Sequence, residues 1–509
     1  MADIRIRAAH TMDHPLGCAQ WNGAFFYKSC AEGEESVCAF MEDFGRNKAI
    51  FSEILGTYHI VLRFAKETVF FSDNAGVCRF FVRQDADLAA DRFLDLLDLC
   101  GDFCPDPRSA EEFLSLGYVY GGRTLDSRIV RSDPGLFYRV RDGKIATESK
   151  HLPDLSEKEA CLGLTACMDR MANALKERKI ACVITGGVDS RMVLAHLIRL
   201  GVDFDLVVSG KEDMADVRIA HQIADVLHKT LHVIDGSVET EADFEKAFVF
   251  ADGQRDLAAR YRLTRMWMTL EEMGYQVCFG GAAGEMYKNS FLNQDFPFYY
   301  GKPNYGRFIK MKVLTGRIPQ AISGSGLPGQ LDAAIAIIGP ERAKRRGYFR
   351  LGAKILMDRY TGANNLTGSL GGIAPLAEPR VQMEAFHTNP YRLEMHAFAR
   401  KHVSRCAPSL VSIKTDRGLS CKSGMPAILR DACQNYIRLA GYALRRLRGK
   451  ALKTESATVS PLVEAHMQQA LEACIRQGFF REGTVLSQLK PALRENMLTL
   501  GTLLIRYHA

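Results

Sequence analysis

The chain has 509 residues, 47% hydrophobic and 25% charged, with 66 Lys and Arg against 59 Asp and Glu. At about 150 residues per domain, this length suggests roughly three domains or two large ones. The composition excludes a largely disordered chain, a collagen-like chain and a coiled coil, and a net charge of +7 spread over this length does not call for a nucleic-acid partner.

The 14 cysteines are scattered, and the nearest pair, Cys100 and Cys104, lacks CxxC spacing. They read as reduced thiols of a cytoplasmic protein with no zinc site. The first 25 residues contain no apolar h-region, and no uninterrupted apolar run reaches 18 residues. Neither a secretory signal nor a membrane span is expected.

Residues 1–150 read as strands and turns with one helical insert. Gly56–Phe64 and Thr68–Ser72 have strand character, and Asp73–Gly76 has turn composition. Residues 87–100 carry apolar side chains at helical spacing. Residues 134–146 predict a hairpin with Asp142-Gly143 at its turn. His151–Asp154 is a linker. A helix is expected over 156–178, with Ser156 and Glu159 spaced as a capping box.

The pattern then becomes α/β. Strands are expected at Lys179–Ile184, Asp205–Ser209, Thr230–Ile234 and Gln276–Phe279. Helices are expected at Arg191–Leu200, Asp216–Leu227 and 255–273. Such alternation implies a parallel sheet covered on both faces. Beyond 300 the chain reads as mostly helical. Arg342–Arg346 and Arg445–Lys453 are basic clusters that read as solvated helix faces; the second follows an apolar helical pattern at Ile428–Leu444, which leaves contact with an anionic surface or membrane as its alternative. Lys450–Ser460 reads as an exposed loop.

The segment that carries chemistry is Lys179–Leu197. An apolar strand runs into Thr185-Gly186-Gly187-Val188-Asp189-Ser190, and a helix starts at once. Two glycines turn the backbone tightly, Thr185 and Ser190 add hydroxyls, and the helix start adds free N–H groups and a positive dipole end. Together these suit a pyrophosphate. Asp189 fits such a site when Mg²⁺ bridges carboxylate and phosphates. The loop is neither GxxxxGK[ST] nor GxGxxG, which disfavours a Walker-type nucleotidase and a dinucleotide fold.

Thr185–Ser190 resembles the Ser-Gly-Gly-x-Asp-Ser loop of the ATP pyrophosphatases, with Thr for the first Ser. More narrowly, the chain resembles glutamine-hydrolysing asparagine synthetase and beta-lactam synthetase along nearly its whole length. The anchors, in the family's order, are Gly56–Phe81, Gly117–Gly135, Val207–Ala220, Phe279–Tyr287 and Asp358–Val381. The resemblance implies two units. Residues 1–150 would form a four-layer αββα sandwich of the N-terminal-nucleophile amidotransferase type. Residues 155–509 would form a doubly wound parallel α/β synthetase domain with a helical C-terminal part.

The same resemblance implies that Thr185, Gly186, Gly187, Asp189 and Ser190 hold ATP phosphates and Mg²⁺, with Ser209, Gly210 and Gly280 bordering the nucleotide. Asp213 and Asp216 read as caps of the following helix, and His232 as a core histidine.

Three departures from the family stand out. Glutaminase chemistry needs an N-terminal Cys, whereas this chain begins Met1-Ala2-Asp3 and its first cysteine is the internal Cys18. No glutamine hydrolysis is expected. In Gly280–Glu285, Gly281 and Gly284 replace family acidic positions, and Glu285 alone keeps its place, as metal ligand or base. The family's late catalytic Lys has Lys414 as its best candidate, with Arg417 next.

The expected reaction is ATP-dependent amide formation. A small-molecule or peptide carboxylate is adenylated, and ammonia or an amine on the substrate displaces AMP. Two other classes stay open. One is an impaired synthetase that binds nucleotide or a partner without turnover. The other is a different ATP pyrophosphatase acting on tRNA or nucleobases.

Overall fold

The computed structural model describes residues 2–175, 178–312, 341–360, 370–434, 437 and 460–507. The fold is mixed α/β, with parallel and antiparallel sheets. Most of Ile428–Leu444, the cluster Arg445–Lys453 and nearly all of Lys450–Ser460 lie outside the described residues.

The first part of the chain supplies β1 (Asp3–Arg5), β2 (His10–His14), β3 (Gly17–Gly23), β4 (Phe26–Tyr27), α1 (Glu34–Gly45), β5 (Ile54–Leu55), β6 (Tyr58–Phe64) and β7 (Thr68–Ser72). It continues through β8 (Phe81–Arg83), β9 (Leu88–Ala90), α2 (Phe93–Cys100), α3 (Pro107–Leu116), β10 (Val130–Arg131), β11 (Leu136–Arg141) and β12 (Lys144–Ser149). One sheet has the order β12-β11-β7-β6-β3-β2, and another has β1-β9-β8-β10.

Alternation along the strands decides what each face buries. Ile60, Leu62, Val69 and Phe71 pack with Val37, Phe40 and Met41 of α1. Their neighbours Val61 and Phe70 pack instead with Val82 and Ala89 of the four-stranded sheet and with Phe80 just ahead of it. The hairpin forms as its turn chemistry demands: Asp142 and Gly143 both have positive φ, as a two-residue primed turn requires.

Two expectations fail here. Residues 88–90 have apolar residues at helical spacing but form β9, which pairs in parallel with β1 and antiparallel with β8. Sheet partners on both sides override local periodicity, and the helix begins only at Phe93. The capping box at Ser156 also does not form. The Ser156 hydroxyl donates to Asp154 Oδ1 at 2.6 Å, and the helix starts at Gly163.

The second part begins with α4 (Gly163–Ala174), β13 (Ile180–Val183), α5 (Val188–Arg199), β14 (Asp205–Ser209), α6 (Ala215–Leu227), β15 (Leu231–Ile234), α7 (Glu241–Ala251), α8 (Leu257–Glu272) and β16 (Val277–Phe279). It continues with α9 (Tyr305–Lys312), α10 (Lys344–Tyr360), β17 (Gly371–Ile373), α11 (Pro379–His387), α12 (Ala397–Cys406), α13 (Pro461–Arg476) and α14 (Pro491–Tyr507).

The five strands pair in parallel in the order β15-β14-β13-β16-β17. Cys182, Leu206, Val208 and Phe279 pack with α4, α5 and α6. Ala181, Val207 and Cys278 pack with Met266 and Leu270 of α8. Arg345, read as part of a solvated basic face, is turned inward. It donates to the carbonyls of Ala385, Phe386 and Thr388 at the end of α11. No helix among the described residues is long and apolar enough to cross a membrane.

The two parts share contacts throughout. The Gly56 N–H donates to Glu378 Oε1 at 2.7 Å, and burial pushes the Glu378 carboxyl up to about 8. Asp252 accepts the N–H groups of Phe93 and Leu94 at the start of α2. One apolar cluster joins Phe93, Leu97 and Phe113 to Met467, Leu498 and Leu503.

Candidate functional site

The chain builds the sheet outward from β13 through β14 to β15, then returns to the other side of β13 with β16 and β17. The direction of winding therefore reverses between β13 and β16. Ligands of open parallel sheets sit beyond the carboxyl ends of the strands at such a point. The loops that leave β13 and β16 there are Ile184–Gly187 and Gly280–Ala283.

The first loop is held by its own hydroxyls. The Thr185 N–H donates to Ser190 Oγ at 3.2 Å, the two hydroxyls lie 3.2 Å apart, and the Gly187 N–H reaches Thr185 Oγ1 at 3.3 Å. The Gly186 N–H is not open to a ligand, because it donates to Asp216 Oδ1 at 2.9 Å. Asp216, expected to cap α6, makes no cap bond there and instead ties α6 to the loop after β13. A side chain at Gly186 has no space, since its Cβ would lie 2.7 Å from Asp216 Oδ1 and 3.0 Å from Asp416 Cβ. The first turn of α5 follows, with its unpaired amides and positive dipole end.

The second loop lies directly against the first. A Cβ on Gly281 would come within 2.6 Å of the Ser190 amide nitrogen. A Cβ on Gly284 would lie 2.2 Å from Asp189 Cγ. Gly280 has open space around it. The turn between them uses Ala283 at φ 67°, a left-handed conformation that non-glycine residues adopt rarely. The loop delivers Lys288, whose Nζ donates to Asp189 Oδ2 at 2.5 Å. Glu285, expected beside Asp189 as a metal ligand or base, accepts the Tyr360 hydroxyl at 3.3 Å.

The segment Ile413–Arg417 closes a third side. The Asp416 N–H donates to the Gly186 carbonyl at 3.1 Å. Arg191 of α5 is fully buried and donates to the carbonyls of Ile413, Lys414 and Gly186. Lys414 is thus joined to the loop by its backbone, while its side chain is exposed. Arg417 lies 3.9 Å from Asp416 and is also exposed. Ser209 and Gly210 end the neighbouring strand β14: Ser209 Oγ donates to the Arg262 carbonyl at 3.5 Å, and the Gly210 N–H donates to Ile234.

His396 was not legible as a site residue. It sits ahead of α12 with φ 61°, following Met395 at φ 48°. Consecutive left-handed residues of this kind are a form of strain that clusters at functional sites. Burial first, then Lys288, Arg400 and Arg417, lower its pKa to about 3. Its Nδ1 is buried without a hydrogen-bond partner among the described residues. His232 is partly buried beside Tyr275, its Nε2 lying 2.7 Å from the phenol oxygen, in keeping with a core role.

The donor set suits a protein-held Mg²⁺ poorly. Among the described residues no group of three or more His, Cys, Asp or Glu could hold a metal ion. Asp189 already has Lys288, and the hollow at Gly284 is filled by the Asp189 carboxylate itself. What the site offers is a loop of small residues at a helix start, bordered by Lys288 and Arg417. No protein-family model matches the chain, and a search of curated proteins finds no significant match.

Proposed function

We propose that the chain is an ATP-dependent, AMP-forming amide synthetase of the asparagine synthetase and beta-lactam synthetase kind, acting in the cytoplasm. Residues 1–150 are read as a four-layer αββα unit without the glutaminase nucleophile, and 155–509 as a doubly wound synthetase domain. Cluster membership supports the layers, since alternate residues of β6 and β7 pack toward α1 and toward the second sheet. Cys18 does not serve as the missing nucleophile. It lies within β3, paired with Asp13 of β2 and Arg63 of β6.

The observation that carries the reading is the meeting of the β13 and β16 loops at the reversal point of the sheet, over the start of α5. In the proposed reaction a substrate carboxylate oxygen attacks the α-phosphorus of ATP. The bond to the bridging oxygen breaks, and pyrophosphate leaves with the electron pair. Ammonia or a substrate amine then attacks the acyl carbon, loses a proton, and displaces AMP. A hydroxyl of the Thr185–Ser190 pair and the first turn of α5 bind the departing pyrophosphate through O–H and N–H donors. Arg417 and the Lys414 side chain, exposed on the adjoining segment, supply positive charge as it leaves.

A thermal shift with Mg·ATP tests nucleotide binding, since a ligand of the folded state raises apparent stability. A carboxylate screen for AMP release then tests turnover. Both are expected to be positive in wild type, and S190A, which removes the oxygen that accepts the Thr185 N–H, should reduce the shift. A second reading, a nucleotide- or partner-binding protein without turnover, draws on the Gly186 N–H being taken by Asp216. A thermal shift with no AMP from any carboxylate would favour it.

A further inference from the structure

Asp189 heads α5 with a cation already in place, and the residue that leaves room for this arrangement is a glycine. Any side chain at 284 would collide with the Asp189 carboxylate, because a Cβ there falls 2.6 Å from Oδ2 as well as 2.2 Å from Cγ. A carboxylate at 284 therefore cannot join Asp189 around a metal in this arrangement, and Glu285 next to it is engaged by the Tyr360 hydroxyl. Four residues further on, Lys288 reaches the same carboxylate.

We infer that Lys288 is the resident cation of the phosphate site, so that the loop binds a pyrophosphate group without a protein-held divalent metal. The inference rests on the functional reading above and deepens it. An ammonium has three N–H donors. Asp189 receives one, which orients the group and leaves the others for phosphate oxygens. Both partners remain reachable, with 24% of the Lys288 side chain and 21% of that of Asp189 exposed. Lys288, Arg400 and Arg417 gather around His396, each with a carboxylate beside it: Asp189, Asp431 and Asp416. The amides at the start of α5 add a positive dipole end.

Calorimetric titration with inorganic pyrophosphate, in EDTA and again in excess Mg²⁺, tests this on the full chain. Wild type should bind in EDTA. K288Q should lose about ten- to hundredfold in affinity there, the effect of removing a charge-assisted hydrogen bond. K288R should stay within about threefold of wild type, because it keeps the charge and the donors. A melting curve of each variant reports whether it folds, and K288R keeps the test alive if K288Q does not: loss of binding by a folded K288R would overturn the inference. Equal binding by K288Q and wild type in EDTA would also overturn it. Binding by wild type only when Mg²⁺ is added would overturn it while leaving the ATP reading intact. No binding by wild type under either condition would overturn both.

Discussion

Asp73 is 0% exposed in the N-terminal part, whereas Asp189 at the head of α5 keeps 21% of its side chain in solvent. Each has a lysine nearby, and the two arrangements differ in where their remaining bonds go. Asp73 accepts the N–H groups of Ala75, Val77 and Cys78. Lys150 is 3% exposed and donates to the Ser72 carbonyl and Asn74 Oδ1, and burial lowers its pKa to about 7. Every direction is taken by the protein, so these charges shape a turn. Asp189 and Lys288 bond to each other and otherwise face outward. The same residue types therefore serve folding in one place and remain available to a ligand in the other.

This contrast can be broken by measurement. D73A strands three amides, two of them buried, beside a buried lysine, and should cost about 3–5 kcal/mol in denaturant unfolding. A loss below about 1 kcal/mol would mean the turn does not depend on its carboxylate.

A buried pair of histidines contributes to the acid limit. His196 of α5 and His402 of α12 lie 2.9 Å apart, ring nitrogen to ring nitrogen. Burial lowers their pKa values to about 4 and about 3, with Arg199 and Arg405 adding to the effect. An unfolded His takes up its proton near 6.5, before either folded ring does. Stability should therefore fall as pH drops from about 6.5 toward 4, by about 3 kcal/mol for one ring. Unfolding free energies against pH should show a shallower slope in H402F.

R191M should cost about 2 kcal/mol, because it leaves the carbonyls joining Ile413 and Lys414 to the Gly186 loop without a donor. The same variant should weaken the Mg·ATP thermal shift by loosening that segment. At the smallest end, K288Q should change stability by about 1 kcal/mol or less, as partly exposed pairs do. A loss as large as that of D73A would place Lys288 among the structural charges and erase the distinction drawn above.

Much of the parallel part was legible in the sequence, because Thr185–Ser190 has glycines, hydroxyls and an apolar strand at fixed spacing. The structure brings that loop together with the backbones of Gly280–Glu285 and Ile413–Arg417. Lys288 was not legible. It meets Asp189 across 99 positions, and no local pattern marks such a partner. Gly284 was legible only as a lost carboxylate, since the space it vacates is visible only once the two loops touch. Asp216 failed for a related reason: a position in the first turn of a helix predicts a cap, but its carboxylate turns away to Gly186. Residues 88–90 failed because spacing records what one segment prefers and not which strands flank it.

The apolar cluster that joins Phe93, Leu97 and Phe113 to Met467, Leu498 and Leu503 constrains the order in which this molecule can form. Phe93 and Leu503 both flank the Gly253 backbone, so three distant stretches meet at one point. During synthesis, at about 5–20 residues per second, the early helices α2 and α3 must wait for α13 and α14 to leave the ribosome before their apolar faces are covered. For that interval, on the order of tens of seconds for the intervening chain, the nascent protein carries an open greasy surface. Its yield in a cell should accordingly depend on holding chaperones more than its finished stability would suggest.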